Sequence, residues 1–314
     1  MKALSPNDVY KALPTPEILD ARGTFFDIAK GAELWASGRD ALRSVLSSEA
    51  RGGKIHIPDY VCPSLPIFLS EFFEISRYRA SPLAPAPDFG TLAARPGDTV
   101  LAISYFGASD GAAWRAWQEQ NPGVRLIEDH SLAPFSQWAS NSRADIAFAS
   151  MRKTLPIPDG AWLKLAGKKP RAAATRPASD LAPFAAEILA AMALKTSQIS
   201  CGVCDERPYR MMFLKGEEKL FRKRSISRIS PYSFELLKRI GIAGMLRAKH
   251  REIAEFFEGY GKLGLPAARF IAPAGEMSAF EPVMAFESPE DLETVRKHFL
   301  RGHSRPTIYW NSDS

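Results

Sequence analysis

Short apolar runs that end in polar residues alternate with helical patterns through the first half of the chain, and this alternation limits the fold more than any other feature. Lys54-Ile55-His56-Ile57-Pro58 reads as a strand, Val61 to Phe73 as a helix, and Phe73 to Tyr78 as a second extended run. Thr99 to Ser104 is a third strand, ending at Tyr105-Phe106-Gly107, and Ala112 to Gln120 is a helix carrying Trp114 and Trp117. Val124 to Ile127 leads into Glu128-Asp129-His130, and Ala144 to Ala149 leads into Ser150-Met151-Arg152-Lys153. Strands alternating with helices indicate a mainly parallel sheet with flanking helices, whose ligands sit outside the carboxyl ends of the strands. Ahead of these units, Leu34 to Leu46 has helical spacing, with Ser37-Gly38 as a cap and a loop feeding the helix start.

The second half is organised differently. Lys164 to Pro177 lacks periodicity and reads as an exposed connection, Asp180 to Gln198 as a long helix, and Ser233 to Gly259 as one or two more. Phe280 to Phe286 is a strand, and Ser288-Pro289-Glu290-Asp291 opens a helix with a serine cap, a proline at the first position and acids in the first turn. We therefore expect a large α/β domain over 1–244 and a small α+β domain over 245–314.

Composition removes several function classes. With 314 residues, 46% hydrophobic and 24% charged, the chain is globular and long enough for a substantial core. Its 41 Lys and Arg against 35 Asp and Glu leave a net charge of +6, a weak bias. The basic residues bunch between Lys215 and Arg228, where a solvated face or an anion-binding loop is a simpler reading than a nucleic-acid surface, since interleaved aromatics and known DNA motifs are missing. Three cysteines cannot build a disulfide framework, and the Cys201-Gly202-Val203-Cys204 spacing lacks the second pair a structural zinc wants, so two half-buried thiols are expected. The apolar stretch Leu181 to Leu194 is too short to span a bilayer, and no secretory leader is evident, so a cytoplasmic protein without membrane or metal is expected.

Four pieces stand in the order that one cofactor site needs. They are Ser37-Gly38 at a helix start, aromatics at Tyr105-Phe106, Asp129 after a strand, and Ser150-x-x-Lys153 after the next. Pyridoxal phosphate needs a lysine, an acid for the ring nitrogen and donors for the phosphate, and a helix N-terminus supplies such donors. Each piece alone has an ordinary explanation as a cap, a loop acid or a solvated lysine.

Together with Ser37-Gly38-Arg39-Asp40-Ala41-Leu42, Ile57-Pro58-Asp59-Tyr60-Val61-Cys62-Pro63, Leu126 to Ala133 and Phe148 to Ala161, they give a chain that resembles the fold-type-I pyridoxal-phosphate enzymes. More narrowly it is similar to the DegT/DnrJ/EryC1/StrS family of nucleotide-sugar aminotransferases, as a shortened or divergent member, over roughly residues 30 to 165. The resemblance implies that Lys153 bonds the cofactor and moves protons, and that Asp129 pairs with the pyridine nitrogen. It implies that Gly38, Arg39, Asp40 and Ser150 hold the phosphate and that Tyr60 or Tyr105 faces the ring. It also implies a homodimer in which Arg228 reaches an anion of the neighbouring subunit. The activity implied is transfer of an amino group from an amino-acid donor to a keto-sugar nucleotide, in the making of surface polysaccharides or secondary-metabolite sugars.

The chain departs from that family at five places. Leu132 stands where a glutamine is common, with His130 as a substitute, and the stretch from Asp129 to Lys153 is short. Asp159-Gly160-Ala161 replaces a glycine-rich run, and Ser225 to Ser230 replaces an asparagine turn. The chain reaches Ile308-Tyr309-Trp310 about where the family's small domain has a further strand and helix to come. A non-catalytic relative acting as a binding or regulatory protein is the alternative that these departures favour.

Overall fold

The computed structural model describes residues 2–5, 11–19, 22–29, 31–48, 53–202, 205–301 and 307–311. The described strands are β1 (Lys2–Ser5), β2 (Glu33–Trp35), β3 (Lys54–Pro58), β4 (Glu74–Tyr78), β5 (Thr99–Ile103) and β6 (Arg125–Asp129), then β7 (Ile146–Ser150), β8 (Ala161–Leu165), β9 (Arg269–Ile271), β10 (Val283–Phe286) and β11 (Thr307–Asn311). The helices are α1 (Phe25–Ile28), α2 (Gly38–Leu46), α3 (Ser64–Leu69), α4 (Ala112–Gln120) and α5 (Gln137–Ser140), followed by α6 (Pro183–Ser200), α7 (Arg207–Arg222), α8 (Pro231–Leu237), α9 (Ile242–Tyr260) and α10 (Pro289–Arg301).

The expected sheet is present. Seven strands run in the order β2-β8-β7-β6-β5-β3-β4. The pairs β3–β4, β3–β5 and β5–β6 are parallel, with Ile103 opposite Asp129 at the end of the last pair. Every residue of β5 and β7 is buried, the pattern of strands covered on both faces, which is why these runs are continuously apolar and do not alternate. At the edge, β2 lies antiparallel to β8, Glu33 opposite Leu163. A second sheet, β11-β1-β10-β9, is antiparallel throughout.

Two expectations about elements are corrected. Leu34 belongs to strand β2, and the helix begins only at Gly38, because Ser37 adopts an extended backbone and caps it. The stretch from Lys164 to Pro177 is not simply an exposed connection. It begins in β8, and its Arg171 binds the buried Glu33 while Ala174 is buried in a short 3-10 turn.

By chain contacts the molecule divides into two compact units. The first comprises Met1–Asp8, Ala50–Ala147 and Leu246–Ser314, and the second Val9–Glu49 and Phe148–Met245. In the first, the β3–β6 strands are flanked by α3, α4 and α5, and the antiparallel sheet packs Met284 and Phe286 against Leu292, Val295 and Tyr260 of α10 and α9. In the second, α6 and α7 form an antiparallel pair joined through Phe184, Ile188, Met192, Tyr209, Phe213 and Leu220.

Candidate functional site

In the second unit the sequence-predicted residues gather around the start of α2. The Ser37 hydroxyl accepts from the Asp40 amide at 3.1 Å, so one of the helix's otherwise unbonded N–H groups is capped and the start is fixed. Gly38 lets that start lie directly on the end of β7. A Cβ there would stand 3.2 Å from the Phe148 ring and 3.8 Å from the Cβ of Ser150. Strand β7 ends at Ser150, and Met151-Arg152-Lys153 form one 3-10 turn. That turn is tied down by Met151 N–H to Gly160 O at 2.9 Å and by Leu155 N–H to Met151 O at 2.8 Å. Gly160 has φ 131°, a left-handed backbone that a side chain resists, and a Cβ would meet Ile157 at 2.9 Å. Lys153 is half-buried, and its ammonium makes no hydrogen bond or ion pair among the described residues.

Buried acids organise this region. Asp40, 3% exposed, takes hydrogen bonds from the Ser37 hydroxyl at 2.6 Å, from the Ser227 amide at 2.9 Å and from the Lys223 ammonium. Its carboxylate is thus turned to the segment after α7 and latches that segment to the helix start. Arg228 in the same segment donates to the Ala173 carbonyl at 2.9 Å. Asp159 is fully buried and accepts from the Ser230 amide at 2.8 Å and from the hydroxyls of Ser230 and Ser233, which pins the N-terminus of α8. Burial raises its pKa in spite of those donors. Arg152 makes a two-armed pair with Glu217 of α7, and the Arg39 guanidinium lies 5.5 Å from the centre of the Phe221 ring.

In the first unit Asp129 ends β6 and is 9% exposed. Its Oδ1 accepts from the Ser131 amide at 2.8 Å, and Oδ2 makes no hydrogen bond among the described residues. His130 turns elsewhere: Nε2 pairs with Glu128 at 3.0 Å, and Trp138 donates to the same carboxylate at 2.9 Å. Burial would raise Glu128, yet the hydrogen bond and charge of His130 hold it below the ordinary glutamate value. The Tyr105 hydroxyl donates to the Tyr60 carbonyl at 2.5 Å, and burial pushes its pKa up, so it stays a neutral donor. Tyr60 is fully buried, so of the two tyrosines only Tyr105 offers ring surface. Tyr105 also lines a cleft of about 260 Å³ with Tyr78, Leu83, Trp114 and Trp138, none of them charged.

Leu132 has a packing reason. It sits in a cluster with Tyr60, Phe106, Phe280, Val283 and Tyr309, where a glutamine amide would have to lose its water. Phe106 itself has φ 52°, an unusual left-handed value for a bulky residue, and it holds that value inside this cluster.

The basic run from Lys215 to Arg228 lies partly on α7 and is paired. Lys215 and Lys219 share Glu187 at 3.1 and 2.5 Å, and Arg222 binds Glu218 at 2.7 Å. Cys201 is exposed and Cys204 lies outside the described residues. Among the described residues no group of three or more His, Cys, Asp or Glu could hold a metal, and no helix is long and apolar enough to cross a membrane. Residues missed from the sequence are Glu33, Asp159 and Glu217. Only Asp159 carried a signal, standing before the glycine that closes the lysine turn.

The fold, a mostly parallel seven-stranded sheet with flanking helices, is shared with solved structures that include aminotransferases. Spr1654 from Streptococcus pneumoniae, assigned as a sugar aminotransferase and solved in its PMP form, superposes with a TM-score of 0.57 at 11% identity, covering 96% of this chain and 78% of that one. DesV from S. venezuelae gives 0.52 at 16% identity, over 93% of this chain and 73% of its own. The aminotransferase TlmJ from Streptoalloteichus hindustanus gives 0.51 at 15%, over 95% and 98%. No protein-family model matches the chain, and no curated protein does. At these identities the likeness is one of fold.

Proposed function

We propose that this chain is a pyridoxal-phosphate-dependent aminotransferase, taking an amino group from an amino-acid donor and passing it to a keto-sugar carried on a nucleotide. The observation that carries the reading is Lys153: a half-buried lysine, fixed on a turn beside a capped helix start, whose amine is left uncommitted by its neighbours. A surface lysine needs no such mounting, whereas a nucleophilic lysine does. The residues present suit the cofactor. The approach of α2 to Ser150 across Gly38 offers backbone amides and a hydroxyl for a phosphate, and Asp129 keeps one carboxylate oxygen uncommitted for a protonated ring nitrogen.

When bound, pyridoxal phosphate supplies an aldehyde that a lysine amine can attack and a ring that accepts an electron pair. Lys153 Nζ then serves as the base that removes the substrate's Cα proton and the acid that returns it. Asp129 Oδ2 would hold a proton on the ring nitrogen. The amides at Gly38 and Arg39, with Ser150, would bind the phosphate, and Asp40 fixes their helix by its bonds to Ser37, Lys223 and Ser227. Tyr105 presents the aromatic face, and His130 acts by bracing Glu128. Arg228 is assigned to an anion of a partner subunit in a homodimer, on resemblance.

The fold likeness to Spr1654, assigned as a sugar aminotransferase, and to the aminotransferase TlmJ supports this reading. The test needs no knowledge of that acceptor. Glutamate or glutamine alone should bleach the visible band of the loaded protein, and Lys153→Ala, which cannot form that band, should release the donor's keto acid at least about 100-fold more slowly, the usual share of general acid–base catalysis. A spectrum that stays fixed with every common amino donor contradicts the aminotransferase reading and favours a non-transaminating relative.

A further inference from the structure

We propose that Asp159 is a positioning residue that keeps the lysine turn and the start of α2 in one register, by closing a ring of hydrogen bonds to which both are tied. The role rests on the function assigned to Lys153 above.

The ring can be followed bond by bond. The Gly160 amide donates to the Ala36 carbonyl at 2.8 Å, and the Ala36 amide donates to the Ser227 carbonyl at 2.9 Å. Further along the same segment, the Ser230 amide and hydroxyl donate to the two oxygens of Asp159 at 2.8 and 2.6 Å, and the chain runs from Asp159 straight into Gly160. Two sides of the ring are backbone pairing: Trp35 of β2 lies opposite Ala161 of β8 and bridges Arg228 as well. The third side is the Asp159 carboxylate.

Both ends of the proposed site hang on this ring. At the lysine end, the Met151 amide that opens the turn carrying Lys153 donates to the Gly160 carbonyl at 2.9 Å. A Cβ on Gly160 would stand 3.3 Å from the Ile229 side chain and 3.6 Å from that of Met151, both fully buried, so the turn and the 223–230 segment press on the same glycine. At the phosphate end, the Ser227 amide donates to Asp40 Oδ1 at 2.9 Å, and Asp40 Oδ2 accepts from the Ser37 hydroxyl at 2.6 Å. A buried network with every member satisfied is stiff, and opening one side lets the other two drift apart. Asp159 is fully buried and held by the amide of Ser230 and the hydroxyls of Ser230 and Ser233, with no cation bonded to it among the described residues. Such an acid adds little stability of its own; what it adds is direction.

The experiment traps two aldehydes on the protein with borohydride and reads the label on Lys153 by peptide mapping. Pyridoxal phosphate engages both ends of the site, whereas pyridoxal, lacking the phosphate, engages the lysine end alone. At low aldehyde concentration the phosphate should raise labelling of wild-type Lys153 at least about tenfold, the worth of one hydrogen bond to a charged group. Asp159→Asn keeps the shape but sets an amide N–H against a donor, and should cut that advantage about three- to tenfold, while labelling by pyridoxal stays near the wild-type rate. Ser230→Ala removes one hydroxyl and keeps the amide, and should cut it about two- to threefold; it decides the matter alone if Asp159→Asn does not fold. In variants whose circular dichroism matches the wild type, an unchanged advantage, or equal losses with both aldehydes, overturns the proposal. A wild type with no phosphate advantage, or labelled at another lysine, overturns the assigned function and this role with it, a failure visible before any variant is made.

Discussion

The surroundings of Asp129 and those of Lys153 are held in place by different physics. Asp129 lies in a unit where Tyr60, Phe106, Leu132, Phe280, Val283 and Tyr309 make one apolar cluster, with Glu128 and His130 as an internal hydrogen-bonded pair. Lys153 lies in a unit threaded by buried acids, each with a named partner: Glu33 with Arg171, Asp40 with Lys223, Asp159 with Ser230 and Ser233. Apolar packing is tolerant of direction. Buried charges are directional, and breaking one leaves its partner without compensation. The contrast predicts that the lysine region is the more easily misplaced by a single substitution and the more responsive to pH.

Asp40→Ala should have the largest effect on stability, about 3–5 kcal/mol, because Lys223 and the Ser227 amide lose their acceptor together. Hydrogen-exchange peptides should show the loss in α2 and 223–228 first; uniform loss over both units would break the comparison. Leu132→Gln should cost less, about 1–3 kcal/mol, for an amide buried without a partner. Its loss should appear as a lower urea midpoint at unchanged slope, with extra exchange near Phe106 and Phe280.

The pH prediction is smaller and has a definite sign. Burial would raise Glu33, but the hydrogen bonds from Arg171 outweigh it and hold the carboxyl below its ordinary value of 4.5. The folded chain therefore binds that proton less readily than the unfolded chain, and the stability this adds is complete above about pH 4.5 and lost as the pH falls below it. Asp159, raised by burial, runs the other way: its contribution favours the fold in acid and is lost as the pH rises through its folded value. Glu33→Gln should flatten the acid limb of unfolding measured by circular dichroism; an unchanged limb would remove Glu33 from the account. Smallest of all, Arg222→Ala, which breaks an exposed pair with Glu218, should change stability by under about 0.5 kcal/mol.

Local chemistry made part of this legible in the sequence. Strand β3 and helix α4 begin and end where their patterns say, and Ser37 caps α2 as its residue type suggests. Ser150 and Lys153 fall at the end of β7 because a buried run of five apolar and small residues has to stop at the sheet edge. What stayed hidden is tertiary. β2 is three residues long, too short to show a period, so Leu34 reads as helix. On α7 the buried face of Tyr209, Phe213, Gly216 and Leu220 is interrupted by charges that read as a basic run until Glu187 and Glu218 are seen beside them. Glu33 and Glu217 look like any surface acid, since their meaning comes from Arg171 and Arg152, 138 and 65 residues away.

The central claim is that Lys153 is the residue that bonds the cofactor, and covalent trapping reads it directly. Protein loaded with pyridoxal phosphate, reduced with borohydride and digested should carry the label on the peptide containing Lys153, and Lys153→Ala should carry none. A label on Lys164, Lys223 or any other lysine, or no label at all, contradicts the account.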